Sequence, residues 1–229
     1  EEVGLARFAA VFLGFGASML GLVLADNVYL LFIFWEATSV FSFLLIAHAH
    51  KRRTSRSSAL QALMVTTAGG LVMLVGVVIL ATMSGTPNLS EIVASPPQGA
   101  IATVSVYLVL VGALSKSAIF PFHFWLPGAM AAPTPVSAYL HAAAMVKAGV
   151  FLLARLHPVL SGTDLFFTVV TVVGATTLVV GAWFAIFQHD LKGLLAYSTI
   201  SHLGLFTMLF GLSTPMARPA GPTFRPAIN

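Results

Sequence analysis

The chain has 229 residues, of which 58% are hydrophobic and only 8% charged, and its mean hydropathy is +0.96. Soluble domains carry about one quarter charged residues, so this composition excludes a water-soluble globule and makes lipid the solvent for much of the surface. The net charge of +4 does not point to nucleic acid, because the basic residues gather at Lys51, Arg52, Arg53 and Arg56 with no aromatic residue between them; the lack of cysteine excludes disulfides and thiolate-held iron–sulfur clusters.

Seven apolar runs follow one another, near 3–25, 28–47, 59–83, 99–120, 134–156, 165–188 and 193–212. Each has about 20 residues or more, enough to cross roughly 30 Å of hydrocarbon as a helix. The expected fold is therefore all-α: a polytopic membrane helix bundle of about seven transmembrane helices. Asp26-Asn27 is so short a hinge that the first two helices must be antiparallel neighbours. The loop at 48–58 carries the basic cluster and is expected on the cytoplasmic side. Alternation then puts 84–98 outside, 128–133 inside, 157–164 outside and 188–192 inside. Arg155 and His157, on an outer turn, run against this assignment.

The fourth run does not end in a polar loop. It continues as Phe120-Pro-Phe-His-Phe-Trp-Leu-Pro127 and then Gly-Ala-Met-Ala-Ala-Pro-Thr-Pro135. Pro121 has no N–H to give to the carbonyl of Ser117, so the helix is predicted to break within 117–124, with His123 beside the break. Irregular backbone at that depth is tolerated only where protein or a wet cavity covers it, and such breaks point to transport sites.

Among the ionisable groups inside the apolar runs, four stand out: Glu36 in the second, Lys116 in the fourth, and His141 and Lys147 in the fifth. A charge at the bilayer centre costs about 2.5 kcal/mol or more, so such groups turn inward, pair and work. A carboxylate and amines on separate helices suit a proton path, because moving Glu36 relative to Lys116 would load or release a proton. Blander readings stand beside this one. Glu36 could be a packing anchor, Lys116 could snorkel to an interface, and His141 could simply bridge helices. Lys147 lies six residues after His141, roughly 120° round a helix and about 9 Å along it, so the two would communicate through water. His123 and His202 are each as readily structural as functional, and His48 and His50 read as a solvated loop. No phosphate loop, zinc pattern or haem pattern is present, so no metal, cofactor or catalytic residue is expected.

The stretches Ser115-Lys-Ser-Ala-Ile-Phe-Pro-Phe-His-Phe-Trp-Leu-Pro127, Ala132-Pro-Thr-Pro-Val-Ser-Ala-Tyr-Leu-His141 and Met145-Val-Lys-Ala-Gly149 together resemble the proton-conducting membrane transporter family. That family contains the antiporter-like subunits of respiratory complex I and the large subunits of Mrp-type sodium/proton antiporters. Phe34-Trp-Glu36 and Asp190-Leu-Lys-Gly-Leu-Leu-Ala-Tyr-Ser-Thr-Ile-Ser-His-Leu-Gly204 fit the same resemblance, and the likeness is nearer to the large, A-type subunit of the Mrp antiporters. It implies a fold of about fourteen helices with two inverted five-helix repeats. Residues 1–156 would be the first repeat, holding one half-channel, 157–214 the first helices of the second, and 215–229 a proline-rich tail outside the membrane. It also implies that Glu36 is the essential glutamate, Lys116 the broken-helix lysine, and His141 with Lys147 the connecting relay. Lys192 and His202 would be candidates for a second-repeat relay. The implied partners are protons, sodium ions, the lipid bilayer and the other subunits of an assembly in the cell membrane. The alternative is a proton-pumping subunit of complex I or a related hydrogenase, without a redox centre of its own. The family would continue through more helices where Met216–Asn229 turns proline-rich, so a piece of a longer chain is expected.

Overall fold

A backbone in hydrocarbon must satisfy its own hydrogen bonds, and a run of about 20 apolar residues does so as a helix. The computed structural model describes residues 2–47, 53–130, 132–139, 144–160 and 164–213. Among these there is no strand, only helices and an isolated β-bridge between Asn27 and Asn88. His48, His50, Lys51, Arg52, His141 and the tail from residue 214 lie outside the described residues.

Helix α1 (Glu2–Leu24) and α2 (Val28–Ile46) pack side by side across the Asp26-Asn27 hinge. Asn27 caps α2, its side-chain oxygen accepting from the amides of Tyr29 and Leu30. Helix α3 (Arg53–Ser84) has 32 residues, against the run of 59–83 expected from hydropathy. No Gly or Pro stands between Arg53 and Ala68, so residues 53–58, expected in the loop with Arg53 and Arg56 of the basic cluster, form the first turns of the helix. Within the expected 84–98 loop, a short helix α4 (Leu89–Ala94) buries Leu89 and Ile92 against α3 and α8.

The departures from seven simple spans lie between residues 100 and 160. Helix α5 (Ala100–Lys116) stops in mid-run, a 3-10 turn covers Phe122–Phe124, and α6 (Trp125–Ala129) resumes. The fifth run is also interrupted: α7 (Thr134–Ser137) gives way to widened turns at Ala138–Tyr139 and Ala144, and α8 (Lys147–Leu160) restarts the α-helix. One broken helix was expected, and the structure has a second discontinuity. Helices α9 (Asp164–Ile186) and α10 (Leu191–Leu212) form a tight antiparallel pair. Gly174 faces Gly204 across it, Gly181 lies against Ser201 and Gly211 against Thr171, and at each a Cβ would meet main-chain atoms of the other helix. Five helices, α1, α2, α3, α9 and α10, are long and apolar enough to cross a membrane unaided, and α5 is a shorter apolar helix. The fourth and fifth runs are thus assembled from pieces.

At the end of the bundle away from the basic cluster, hinge, α4 and α8 are tied together. Arg155 donates to the carbonyls of Val23 (3.2 Å) and Ala25 (2.6 Å) and pairs with Asp26 at 3.0 Å. Asp26 accepts in turn from the amide and hydroxyl of Ser90. Arg155 thereby caps the C-terminus of α1, which explains a cation on a turn where the positive-inside rule does not want one.

Candidate functional site

Lys116 is the last residue of α5, and the way the helix ends places it. Ala118 adopts a left-handed φ of 51°, the Ala118 amide donates to Ser115 O, and the Ile119 amide reaches back to Leu114 O at 3.0 Å. This is a Schellman-type stop, here built on an alanine where glycine is usual. Termination thus comes three residues before Pro121, whose peptide bond to Phe120 is cis. The break falls inside the expected 117–124 window.

The Lys116 side chain is wholly buried. Its Nζ donates to Trp35 O at 2.5 Å, to Thr38 Oγ1 at 2.6 Å and to Ser39 Oγ at 3.0 Å, and lies 4.7 Å from the centroid of the Trp35 ring. Three acceptors match the three N–H groups of an ammonium, and the indole face adds a cation–π contact. Snorkelling to an interface is therefore not what this lysine does.

Glu36 follows Trp35 on α2. Its Oε2 accepts from Thr67 Oγ1 of α3 at 3.0 Å, while its Oε1 is buried without a hydrogen-bond partner among the described residues. The carboxylate lies directly over Gly70, where an added Cβ would collide with Oε1 and come 3.3 Å from Trp35 Cδ1. Glycine at 70 is what makes room for the acid. Lys116 docks on the carbonyl of Trp35, the residue before Glu36, so the two groups belong to one site, but they do not touch. Among the described residues the ion pair within 4.0 Å is Arg155–Asp26. Lys116 is docked on the α2 main chain beside Glu36, and Glu36 is held by α3.

The polar groups freed by the break find partners on other elements. Ser115 O accepts from Trp125 Nε1 at 3.0 Å, folding α6 back against the end of α5. The Phe120 amide donates to Thr177 Oγ1 of α9 at 3.0 Å. Ser117 Oγ donates to Val146 O at 2.7 Å. That bond joins the two discontinuities, because Ser117 follows Lys116 and Val146 precedes Lys147.

The remaining sequence-derived candidates are placed differently. Lys147 is exposed at the start of α8 and lines a groove of about 350 Å³ with Met19, Leu20 and Val23 of α1. The carbonyl before it, Val146 O, is tied to Ser117 while the Lys147 side chain lines the groove against α1. His123 stacks on Phe120 with ring centroids 5.6 Å apart, and its Nδ1 is buried without a partner among the described residues. Lys192 donates to Ala132 O at 2.9 Å and lies 3.5 Å from Met130 O, so it ties the start of α10 to the end of α6. His202 is exposed, with Nδ1 2.7 Å from Ser198 O of its own helix. The structure does not bring Lys192 or His202 to the Lys116 site. No cluster of His, Cys, Asp or Glu able to hold a metal occurs among the described residues.

Residues 25–220 match the family model described as NADH:quinone oxidoreductase/Mrp antiporter, transmembrane. The chain belongs to this family. It is 56% identical to a probable K(+)/H(+) antiporter protein of Rhizobium meliloti (strain 1021), named there as the A/B subunit, over 96% of this chain and 22% of the relative. It is 49% identical to the putative antiporter subunit mnhA2 of Staphylococcus aureus (strain MRSA252), over 91% of this chain and 26% of the relative. A chain in the structure of the Mrp complex from Dietzia sp. DQ12-45-1b superposes with a TM-score of 0.85 at 48% identity, covering 90% of this chain and 23% of that one. A chain of the membrane-bound sulfane sulfur reductase, an archaeal respiratory membrane complex, gives 0.83 at 25% identity, covering 90% of this chain and 43% of that one. This chain thus spans about a quarter of the length of these curated relatives.

For this member of the NADH:quinone oxidoreductase/Mrp antiporter family, the charged residues were legible in the sequence and their holders were not. Thr38, Ser39, Thr67 and Gly70 carry no charge to mark them. The available signal was positional: hydroxyls two and three residues after Glu36, and a Thr67-Ala-Gly-Gly70 stretch of small residues in an otherwise bulky helix.

Proposed function

We propose that this chain carries one ion-translocating half-path of a multisubunit Mrp-type cation/proton antiporter in the cell membrane, with residues 1–156 as its first repeat and 157–214 opening the second. The observation that carries this reading is a fully buried lysine at a helix break, saturated by acceptors from α2 and sharing its site with a half-buried glutamate. A buried amine and carboxylate on separate helices cost several kcal/mol to desolvate, and such groups mark ion pathways. Lys116 is the switching group, loading a proton near Glu36 and releasing it when the two move apart. His141 and Lys147 pass the proton on, with water completing the link. The name of the Rhizobium meliloti relative supports potassium as the exchanged cation, the resemblance to Mrp-type antiporters suggests sodium, and the Mrp complex supports other subunits of an assembly as partners.

The reading as a subunit of a complex I-like respiratory assembly is favoured by the family description and by the likeness to the archaeal reductase. It is the weaker of the two, because identity is 25% there and 56% to the K(+)/H(+) antiporter relative.

The test uses dye-quench antiport in membrane vesicles bearing the full assembly. Lys116→Arg keeps the charge but cannot release its proton at physiological pH, so it should assemble and abolish antiport, as should Glu36→Gln. His141→Ala should slow transport less. Wild-type antiport in a fully assembled Lys116→Arg variant would overturn the proposal.

A further inference from the structure

The acceptors around Lys116 are themselves oriented. Thr38 Oγ1 donates its hydrogen to Trp35 O at 2.7 Å, and Ser39 Oγ donates to the same carbonyl at 3.4 Å. With both hydroxyl hydrogens committed to their own helix, only lone pairs face Nζ. The site on α2 is therefore acceptor-only: one carbonyl and two hydroxyl oxygens, all buried, around one nitrogen. An ammonium fills it with three donors, whereas a neutral amine has two N–H groups and a lone pair that would oppose an oxygen. The cage thus distinguishes the two protonation states of Lys116 by geometry, without contact with the Glu36 carboxylate.

We propose that Thr38 and Ser39 are positioning residues for ion translocation, forming with the Trp35 carbonyl a docking station that holds Lys116 as an ammonium beside Glu36 but out of contact with its carboxylate. This deepens the reading of Lys116 as the proton-switching group and rests on it. The station gives the lysine a resting place for its charge in which Glu36 is free to exchange its own proton. Removing acceptors from it weakens the hold on the proton.

The titratable groups nearby are the same in every variant below. Titratable side chains on elements packed against α5 and the break include, among the described residues, Tyr29 and Glu36 of α2, Arg56 of α3, Tyr107 of α5 itself, His123 in the 3-10 turn, Lys147, Arg155 and His157 of α8, and Lys192, Tyr197 and His202 of α10. Of these, Glu36 directly follows Trp35, whose carbonyl Nζ contacts.

The experiment records full pH profiles of sodium- or potassium-driven dye-quench antiport for the assembled complex with Thr38→Val, Ser39→Ala and Thr38→Ser. A hydrogen bond to a charged group contributes enough that losing one acceptor should move the alkaline half-activity point of Thr38→Val about one pH unit toward acid. Ser39→Ala, which removes the longer contact, should move it less, and Thr38→Ser should keep the wild-type profile. A purely structural role for Thr38 would scale the rate at every pH and leave the half-activity point in place. That result, or coincident profiles for Thr38→Val, Ser39→Ala and wild type, overturns the docking station. If Lys116→Arg is inactive while these profiles stay put, the station fails and the switching lysine stands. If Lys116→Arg is fully active, both fall.

Discussion

A methyl group placed at residue 70 would touch Glu36 Oε1, which has no hydrogen-bond partner among the described residues. Gly70→Ala adds a Cβ that overlaps Glu36 Oε1 and presses on Trp35, both on α2. Overpacking of this kind costs about 1–3 kcal/mol, and here the atom forced to move is the carboxylate. The expected outcome is an assembled complex with antiport reduced at least about tenfold, equivalent to about 1.4 kcal/mol of the mispositioning cost. Wild-type rates in an assembled Gly70→Ala variant would mean that the carboxylate works from another position. Thr67→Val removes the 3.0 Å bond to Oε2 while keeping volume, and should slow transport less than Gly70→Ala in the same vesicles. Glu36 and Lys116 could be picked out by eye because a charge in an apolar run is costly. The residues that receive them could not, because a small or hydroxyl side chain is common in membrane helices for packing alone.

The helices show how much of a break is local. The interruption after α5 is written in the chain by Pro121, although the cap forms earlier, at Ala118. The one between α7 and α8 is not: positions 138–146 read Ala-Tyr-Leu-His-Ala-Ala-Ala-Met-Val, with neither Gly nor Pro. Its carbonyl at Val146 is taken by Ser117 of the other broken run, a contact between residues 29 positions apart. Ser117→Ala should therefore destabilise the pairing of α5 with α8 by about 1 kcal/mol, the scale of hydrogen bonds between membrane helices. Gly149→Ala should cost more, since its Cβ would overlap the main-chain oxygen of Ala113, which has no rotamer to escape into. Melting temperatures of the purified complex check the order: wild type above Ser117→Ala above Gly149→Ala. A Gly149→Ala complex as stable as wild type would contradict the close approach of these helices.

Across the whole molecule, the cluster of Asp26, Ser90 and Arg155 ties the α1–α2 hinge to α4 and α8 at the end away from the basic segment. The Ser90 hydroxyl and amide, with Arg155 beside them, hold the Asp26 carboxyl below its ordinary range. A carboxyl whose folded value is depressed contributes stability above its unfolded pKa of about 3.9 and loses it as pH falls through the folded value. The contribution should thus be constant from about pH 5 upward and fade below about pH 4. Melting of the complex followed against pH should show the Asp26→Asn penalty at pH 8 and a smaller one at pH 3.5. A penalty that grows on acidification would reverse the sign and refute the assignment. Arg155→Ala, which loses an ion pair half open to solvent and two bonds to carbonyls, should cost about 1 kcal/mol.

What the sequence determined by itself follows from solvent physics. Runs of apolar residues in lipid must be helices, a proline inside such a run must interrupt it, and a charge there must face inward, so the bundle, the break at 117–124 and the burial of Lys116 could all be read from composition and order. Tertiary structure alone decided that Lys116 docks on Trp35, Thr38 and Ser39 rather than on the Glu36 carboxylate. It alone also decided that the fifth run is discontinuous, that Lys147 points away from Lys116, and that Arg155 is spoken for by the end of α1. Each of these is a choice among hydrogen-bond partners far apart in the chain. An unpaired polar group in a membrane protein takes whichever acceptor packing brings within about 3 Å, and that distance is set by how the helices cross.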